Sequence, residues 1–197
     1  MPRIRRVNGE QFEVSISERR IKTRVRQLAR RISRDYRGTV PVFIGILNGS
    51  FIFFADLIRE VTIDCEVDFL KLSSYGDAKI SSGNVHLLKD LNCQVEQRDI
   101  VVVEDIVDSG LSVAYIGGLI RKQNPKSLKF VTLLYKNDSV IHDVSVDYIG
   151  FRITRDFVIG YGLDYGQRER NLKAIYRLRA HTKRPAGAER GAATRNE

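Results

Sequence analysis

The chain has 197 residues, 43% of them hydrophobic and 29% charged, a balance ordinary for one globular domain with a sizeable core. No apolar run approaches the roughly 20 residues a membrane-spanning helix needs. The opening MPRIRRVNGEQFEV lacks the apolar core of a signal peptide, and Cys65 and Cys93 have no metal-type spacing, so a cytoplasmic protein with free thiols is expected.

The net charge is +9, and residues 1–37 hold twelve Lys and Arg against four Asp and Glu. A basic arm can signal nucleic acid. No recognition motif accompanies it, so a solvated helix face is the preferred reading.

In chain order, Ser17 can cap a helix running to about Arg34, with Ile21, Val25, Leu28 and Ile32 on one face and arginines on the others. Gly38 ends it. VPVFIGIL (40–47) is an unbroken, β-branched apolar run suited to a strand covered on both faces. FIFFADLIREV (51–61) reads as a short helix and CEVDFLKLSSY (65–75) as a second strand. GDAKISSGNV (76–85) reads as a mobile loop, and HLLKDL (86–91) as a short strand.

DIVVVED (99–105) is a strand that should end at its two acids, and SVAYIGGLIRKQ (112–123) is helical until Asn124-Pro125 stops it. SLKFVTLLYK (127–136), VDYIGFRI (146–153) and FVIGYGLDY (157–165) are further strands or extended segments. Strands alternating with short helices imply an α/β fold with a mostly parallel sheet. Residues 183–197 are small, polar and charged, composed like a disordered tail.

The stretch VVVEDIVDSGLS (101–112) carries the chemistry. In open α/β sheets, ligands sit beyond the carboxyl ends of the strands. The turn Asp108, Ser109, Gly110, Leu111, Ser112 opens a helix, so its backbone N–H groups and hydroxyls suit a phosphate. Glu104 and Asp105 suit vicinal hydroxyls, or Mg²⁺ held through water. A sugar phosphate has both complements. Neither the Walker pattern nor the dinucleotide fingerprint is present.

This stretch resembles the 5-phosphoribosyl-1-pyrophosphate (PRPP) motif of type I phosphoribosyltransferases. LNGSFIF (47–53), SSY (73–75), LLYK (133–136) and RDFVIGYGLDYGQRERNL (155–172) are similar to hypoxanthine and hypoxanthine-guanine phosphoribosyltransferases, in the same order and spacing, and the likeness covers roughly residues 8–178.

The resemblance implies one transferase domain over residues 1–182, with a core of about 36–155 and a hood from about 1–16 and 156–180. It implies Mg²⁺-dependent transfer from PRPP to N9 of a 6-oxopurine, in a homodimer or homotetramer. Asp108 to Ser112 would hold the 5′-phosphate, and Glu104 and Asp105 would face the ribose. Asp108, in a buried setting, would exchange a proton with the base near N7. Lys136 would donate to the 6-oxo group, Phe157 would stack on the purine, and Ile106 and Val158 would contact it. Asp164 would ligate metal at the edge of the base site, with Glu104 and Asp105 sharing the metal.

Asn48, Gly49, Ser74, Tyr75 and Arg170 would hold pyrophosphate, with a non-proline cis peptide at Asn48–Gly49 and the loop after Tyr75 closing over the site. Some relatives carry lysine where Asn48 stands, so no side-chain salt link from this loop is expected. A nucleotide-sensing regulator binding nucleic acid, and a xanthine-preferring transferase, are the alternatives.

Overall fold

The computed structural model describes residues 4–74, 85–142 and 144–179. A six-stranded sheet forms the centre. Its members are β3 (Val42–Leu47), β4 (Glu66–Ser74), β5 (Val85–Lys89), β6 (Asp99–Val107), β7 (Ser127–Lys136) and β8 (Tyr148–Ile153), in the order β5-β4-β3-β6-β7-β8. All neighbours are parallel except β5, which runs antiparallel to β4.

Helices cover both faces. On one lie α1 (Glu18–Asp35) and α2 (Phe51–Glu60). Their Ile21, Val25, Ile32, Phe53 and Leu57 pack on Phe43, Val101, Val103, Val131 and Leu133. On the other lies α3 (Leu111–Arg121), whose Val113, Ile116 and Ile120 pack on Val42, Ile44, Val102 and Phe130. The expected apolar stripe of α1 is thus the buried one, and Ser17 caps the helix, its hydroxyl accepting from Arg20 N at 3.4 Å.

The connection β3–α2–β4 crosses one face and β6–α3–β7 crosses the other. The crevice where such a sheet changes direction lies between β3 and β6, and this is where α/β sheets bind ligands.

The chain ends build a second, antiparallel sheet ordered β1-β2-β10-β9, from β1 (Ile4–Val7), β2 (Glu10–Ile16), β9 (Val158–Ile159) and β10 (Ile175–Leu178). Phe12, Val7 and Ile159 form its small core.

Three expectations need correction. The strand of residues 99–105 continues through Val107, because Ile106 and Val107 keep pairing with Leu134 and Tyr135 on β7; Glu104 and Asp105 are therefore inside the strand. Of residues 157–165 only Val158 and Ile159 form a strand, since Gly160, Tyr161 and Gly162 all take positive φ and turn the chain back toward the sheet. The cis peptide is Leu47–Asn48, one bond earlier than expected; motif spacing does not distinguish two adjacent peptides. The expected loop of 76–85 and the tail of 183–197 lie outside the described residues, apart from Val85 in β5.

Candidate active site

The site is built at the carboxyl edge of the large sheet, in two halves. The first half is contiguous in sequence. Along β6, Ile100 and Val102 face α3 while Val101 and Val103 face α1 and α2; past the acids the sense inverts, with Ile106 on the α1/α2 side and Val107 on the α3 side. Glu104 and Asp105 stand at this inversion.

Glu104 is buried, and its Oε2 has no hydrogen-bond partner among the described residues. Burial pushes its carboxyl well above the usual range, and the Asp105 charge adds to this. Burial likewise raises Asp105 to about 6, opposed by backbone N–H groups and by Arg170.

The turn from β6 into α3 follows. Gly110 caps the helix at φ 86°, a conformation open to glycine at little cost. A Cβ there would also crowd Val144 and Val140. No side chain caps α3; Ser109 Oγ instead accepts from Leu111 N at 3.3 Å. Glu104, Ile106 and residues 107 to 113 line a cleft of about 240 Å³. Free N–H groups at a helix start, two hydroxyls and the helix dipole make this cleft an anion seat.

Because β6 and β7 run parallel with Val107 opposite Tyr135, the next residues, Asp108 and Lys136, also meet. Lys136 Nζ donates to Asp108 Oδ2 at 2.6 Å. The lysine side chain is 10% exposed and the aspartate 56%. The expected burial therefore falls on the lysine, because Asp108 has already left the strand for the open turn.

The second half is assembled from distant segments. Gly49, in the loop after β3, lies against Asp105: a Cβ on Gly49 would fall 1.8 Å from Asp105 Oδ2. On its other side lies Gly162, at φ 103°, where a Cβ would fall 2.1 Å from the Gly49 carbonyl oxygen. Arg170 Nη1 donates to Gly162 O at 2.8 Å, and its Nη2 pairs with Asp164 Oδ1 at 2.9 Å. Asp164 Oδ2 also accepts from Gln167 N at 2.8 Å.

The structure thus brings Gly49, Asp105, Gly162, Asp164 and Arg170 together. Asn48 enters with the same loop. Ser74 ends β4 at the same sheet edge, and Tyr75 lies outside the described residues.

Above this edge stands Phe157, 43% exposed, its ring set against Phe12 at 6.2 Å and edge-on to Tyr165 at 5.3 Å. Val158 is buried beside it and pairs with Arg177 of β10. An exposed aromatic braced by two others is a platform for a flat ring. The sequence reading does not single out Gly162 or Tyr161; the run Gly160-Tyr161-Gly162 is the signal that marks them.

Comparison with known proteins agrees with this geometry. A family model described as "Phosphoribosyl transferase domain" matches residues 15–166. The hypoxanthine-guanine phosphoribosyltransferase of Bacillus subtilis (strain 168) is 45% identical over 163 residues, 83% of this chain and 91% of that protein. The hypoxanthine phosphoribosyltransferase of Salmonella typhimurium is 44% identical over 165 residues, 83% of this chain and 93% of that one. Among solved structures, a hypoxanthine-guanine phosphoribosyltransferase from Bacillus anthracis superimposes with a TM-score of 0.79 at 41% identity, covering 83% of this chain and 96% of that one. By sequence and by fold, the chain belongs to the phosphoribosyl transferase family, on the branch of its hypoxanthine and hypoxanthine-guanine members.

Proposed function

We propose that the protein is a purine salvage enzyme that transfers the 5-phosphoribosyl group of PRPP to N9 of a 6-oxopurine, hypoxanthine or guanine, and releases pyrophosphate. The observation that carries this reading is the pair Lys136–Asp108 standing beside the open N-terminus of α3. It sets a donor for a 6-oxo group and an acceptor for a ring proton next to a phosphate seat.

In this reading the C1′–O bond to pyrophosphate breaks as the C1′–N9 bond forms. The ring proton leaves from N7 to Asp108, whose carboxylate Lys136 orients. Lys136 donates to O6; its ammonium has donors only, so the amino group of adenine would leave both partners unpaired. Phe157 stacks on the purine, with Ile106 and Val158 at its edge. Residues 108 to 112 hold the 5′-phosphate through N–H groups and hydroxyls, and Glu104 and Asp105 receive the ribose hydroxyls. Arg170, Ser74, Tyr75 and the loop of Asn48 and Gly49 receive pyrophosphate. The terminal sheet serves as a hood that excludes water from the developing cation-like ribose.

A divalent metal fits the donor set. Glu104 Oε2 is buried without a partner and Asp105 and Asp164 add carboxylates, yet among the described residues no three such groups form a preformed cage. Mg²⁺ is suited to that arrangement, since it is held by one or two carboxylates with the remaining oxygens from substrate and water. When bound it would offset the charge growing on the leaving pyrophosphate.

The protein is proposed to act in the cytoplasm as a homodimer or homotetramer. No helix among the described residues is long and apolar enough to cross a membrane. The test is a steady-state rate comparison across hypoxanthine, guanine, xanthine and adenine, with PRPP and Mg²⁺. A preference for hypoxanthine or guanine is expected. No nucleotide from any 6-oxopurine would refute the reading.

A further inference from the structure

The loop that carries Gly162, Asp164 and Arg170 is seated on the core through Tyr161 and Leu163, and its register against Gly49 depends on how that seat is fixed. Its own backbone ladder, Tyr161 N to Leu172 O at 2.8 Å and Gly162 N to Arg170 O at 2.9 Å, ties the loop only to itself. Glu169 ties it to β1 through Arg5 and Tyr165 packs on Phe12, while Tyr161 ties it to the large-sheet layer through α2. Tyr161 is 5% exposed at φ 53°, and its hydroxyl donates to Asp56 Oδ2 on α2 at 2.6 Å. The other oxygen of Asp56 accepts from Arg59, one turn along the helix.

Helix α2 begins directly after Gly49. Ser50 fixes that junction twice, through Ser50 N to Ile46 O at 3.3 Å and Ser50 Oγ to Ile46 O at 2.6 Å. A closed circuit results, running from Tyr161 through Asp56 and α2 to Gly49, and back across the Gly49–Gly162 contact. Two backbones meet at that contact with no room for a Cβ, so its spacing is set by the residue next to Gly162, Tyr161.

We propose that Tyr161 is a positioning residue for the transfer reaction. Its hydroxyl, held by Asp56, keeps Gly162, Asp164 and Arg170 in register with Gly49, and so shapes the seat for the pyrophosphate group without touching it. The proposal rests on the transferase reading above and adds to it two residues, Tyr161 and Asp56, that no step of the chemistry uses. Its substrate signature is one-sided: the base end, with Lys136, Asp108 and Phe157, lies outside the circuit.

Tyr161→Phe keeps the ring and its packing and removes only the donor. Asp56 is 25% exposed at its side chain, so water can satisfy it and the fold should survive. Expected for this variant is a KM for PRPP raised about tenfold and product inhibition by pyrophosphate weakened by about the same factor, the scale of one lost hydrogen bond to a carboxylate. The KM for hypoxanthine should stay within about twofold, and amide hydrogen exchange across residues 160–172 should quicken.

Asp56→Asn retains an acceptor oxygen and should restore most of the PRPP affinity that Asp56→Ala loses. Wild-type PRPP kinetics and unchanged exchange in Tyr161→Phe would overturn the proposal. So would equal losses for PRPP and base that follow a fall in Tm, since those indicate only a structural role. Absence of turnover in the unsubstituted protein would instead refute the transferase reading, and any role for Tyr161 in it, while the exchange comparison would still report whether the hydroxyl orders the loop.

Discussion

The two halves of the site are made in opposite ways. The half proposed to seat the 5′-phosphate is a dozen consecutive residues, Val101 to Ser112, and the donors it offers are mainly backbone N–H groups at a helix start. The half proposed to seat pyrophosphate draws Gly49, Asp105, Gly162 and Arg170 from three separated segments and depends on backbone contacts too close for a Cβ. A local site tolerates drift elsewhere in the molecule. An assembled one is only as precise as the packing between its parts, and a displacement of about 1 Å in such a site can cost a hundredfold in rate.

Substitutions can break or sharpen this contrast. The largest effect is expected for Asp108→Asn in the local half. It removes the proton acceptor and leaves the α3 cradle intact, so kcat should fall by about 10²- to 10⁴-fold with the KM for PRPP little changed; pre-steady-state and steady-state rates with hypoxanthine check this. Gly162→Ala should come next. It places a Cβ 2.1 Å from the Gly49 carbonyl and forces a positive φ on alanine. Its kcat/KM for PRPP should fall about a hundredfold, while a spectroscopic titration with purine nucleoside monophosphate should still detect binding through the phosphate half.

Lys136→Met removes the donor to O6 and the partner of Asp108. It should raise the KM for hypoxanthine by about 10- to 100-fold and narrow the gap between hypoxanthine and adenine, measured as a ratio of kcat/KM values. An unaltered ratio would remove Lys136 from base selection.

The smallest effect is on stability and its pH dependence. Burial pushes the Asp105 carboxyl in the folded state up to about 6 from the ordinary 3.8. The folded state therefore holds the proton more tightly between those values. Stability contributed by this group is present below about pH 4, falls as pH rises, and is lost above about pH 6. Asp105→Asn should raise Tm by a few degrees at pH 7.5 and change it little at pH 4, as calorimetry at the two pH values would show.

Asp68, away from the site, has the opposite sign. Although burial alone would raise it, N–H groups of Cys93, Phe69 and Asn92, with Lys89, hold it at about 2. Its contribution is present above about pH 4 and is lost as pH falls through about 2. Asp68 is a structural carboxylate whose partners outweigh its burial; at Asp105, burial outweighs the backbone N–H groups and Arg170.

The two halves also differed in how far they could be read from sequence. The large sheet is visible because its strands are unbroken apolar runs and α1 shows a clean 3.6-residue stripe. The phosphate half is visible because its residues are neighbours in the chain. The small sheet is not, since β1, β2 and β10 are short and rich in charge, and the pairing of β2 with β10 that closes it joins residues more than 150 positions apart, as in Tyr176 opposite Val14.

Glycine contacts are invisible for a similar reason. Gly49 and Gly162 each look like turn residues, and only the fold shows that one is pressed on the other. The burial of Lys136 in place of Asp108 follows from the two extra strand residues of β6, which no composition signal announces.

The position of β10 carries a consequence for how the protein is made. Ile175–Leu178 lies between β2 and β9 in the small sheet, pairing with both, so the early strands β1 and β2 are joined to β9 in one sheet only once residues 175–178 have been made. All six strands of the large sheet precede residue 155, whereas Phe157 and the core residues Val158, Tyr161, Leu163 and Ile175 follow it. The platform around Phe157 is thus the part of the proposed site that is completed latest along the chain, with β10.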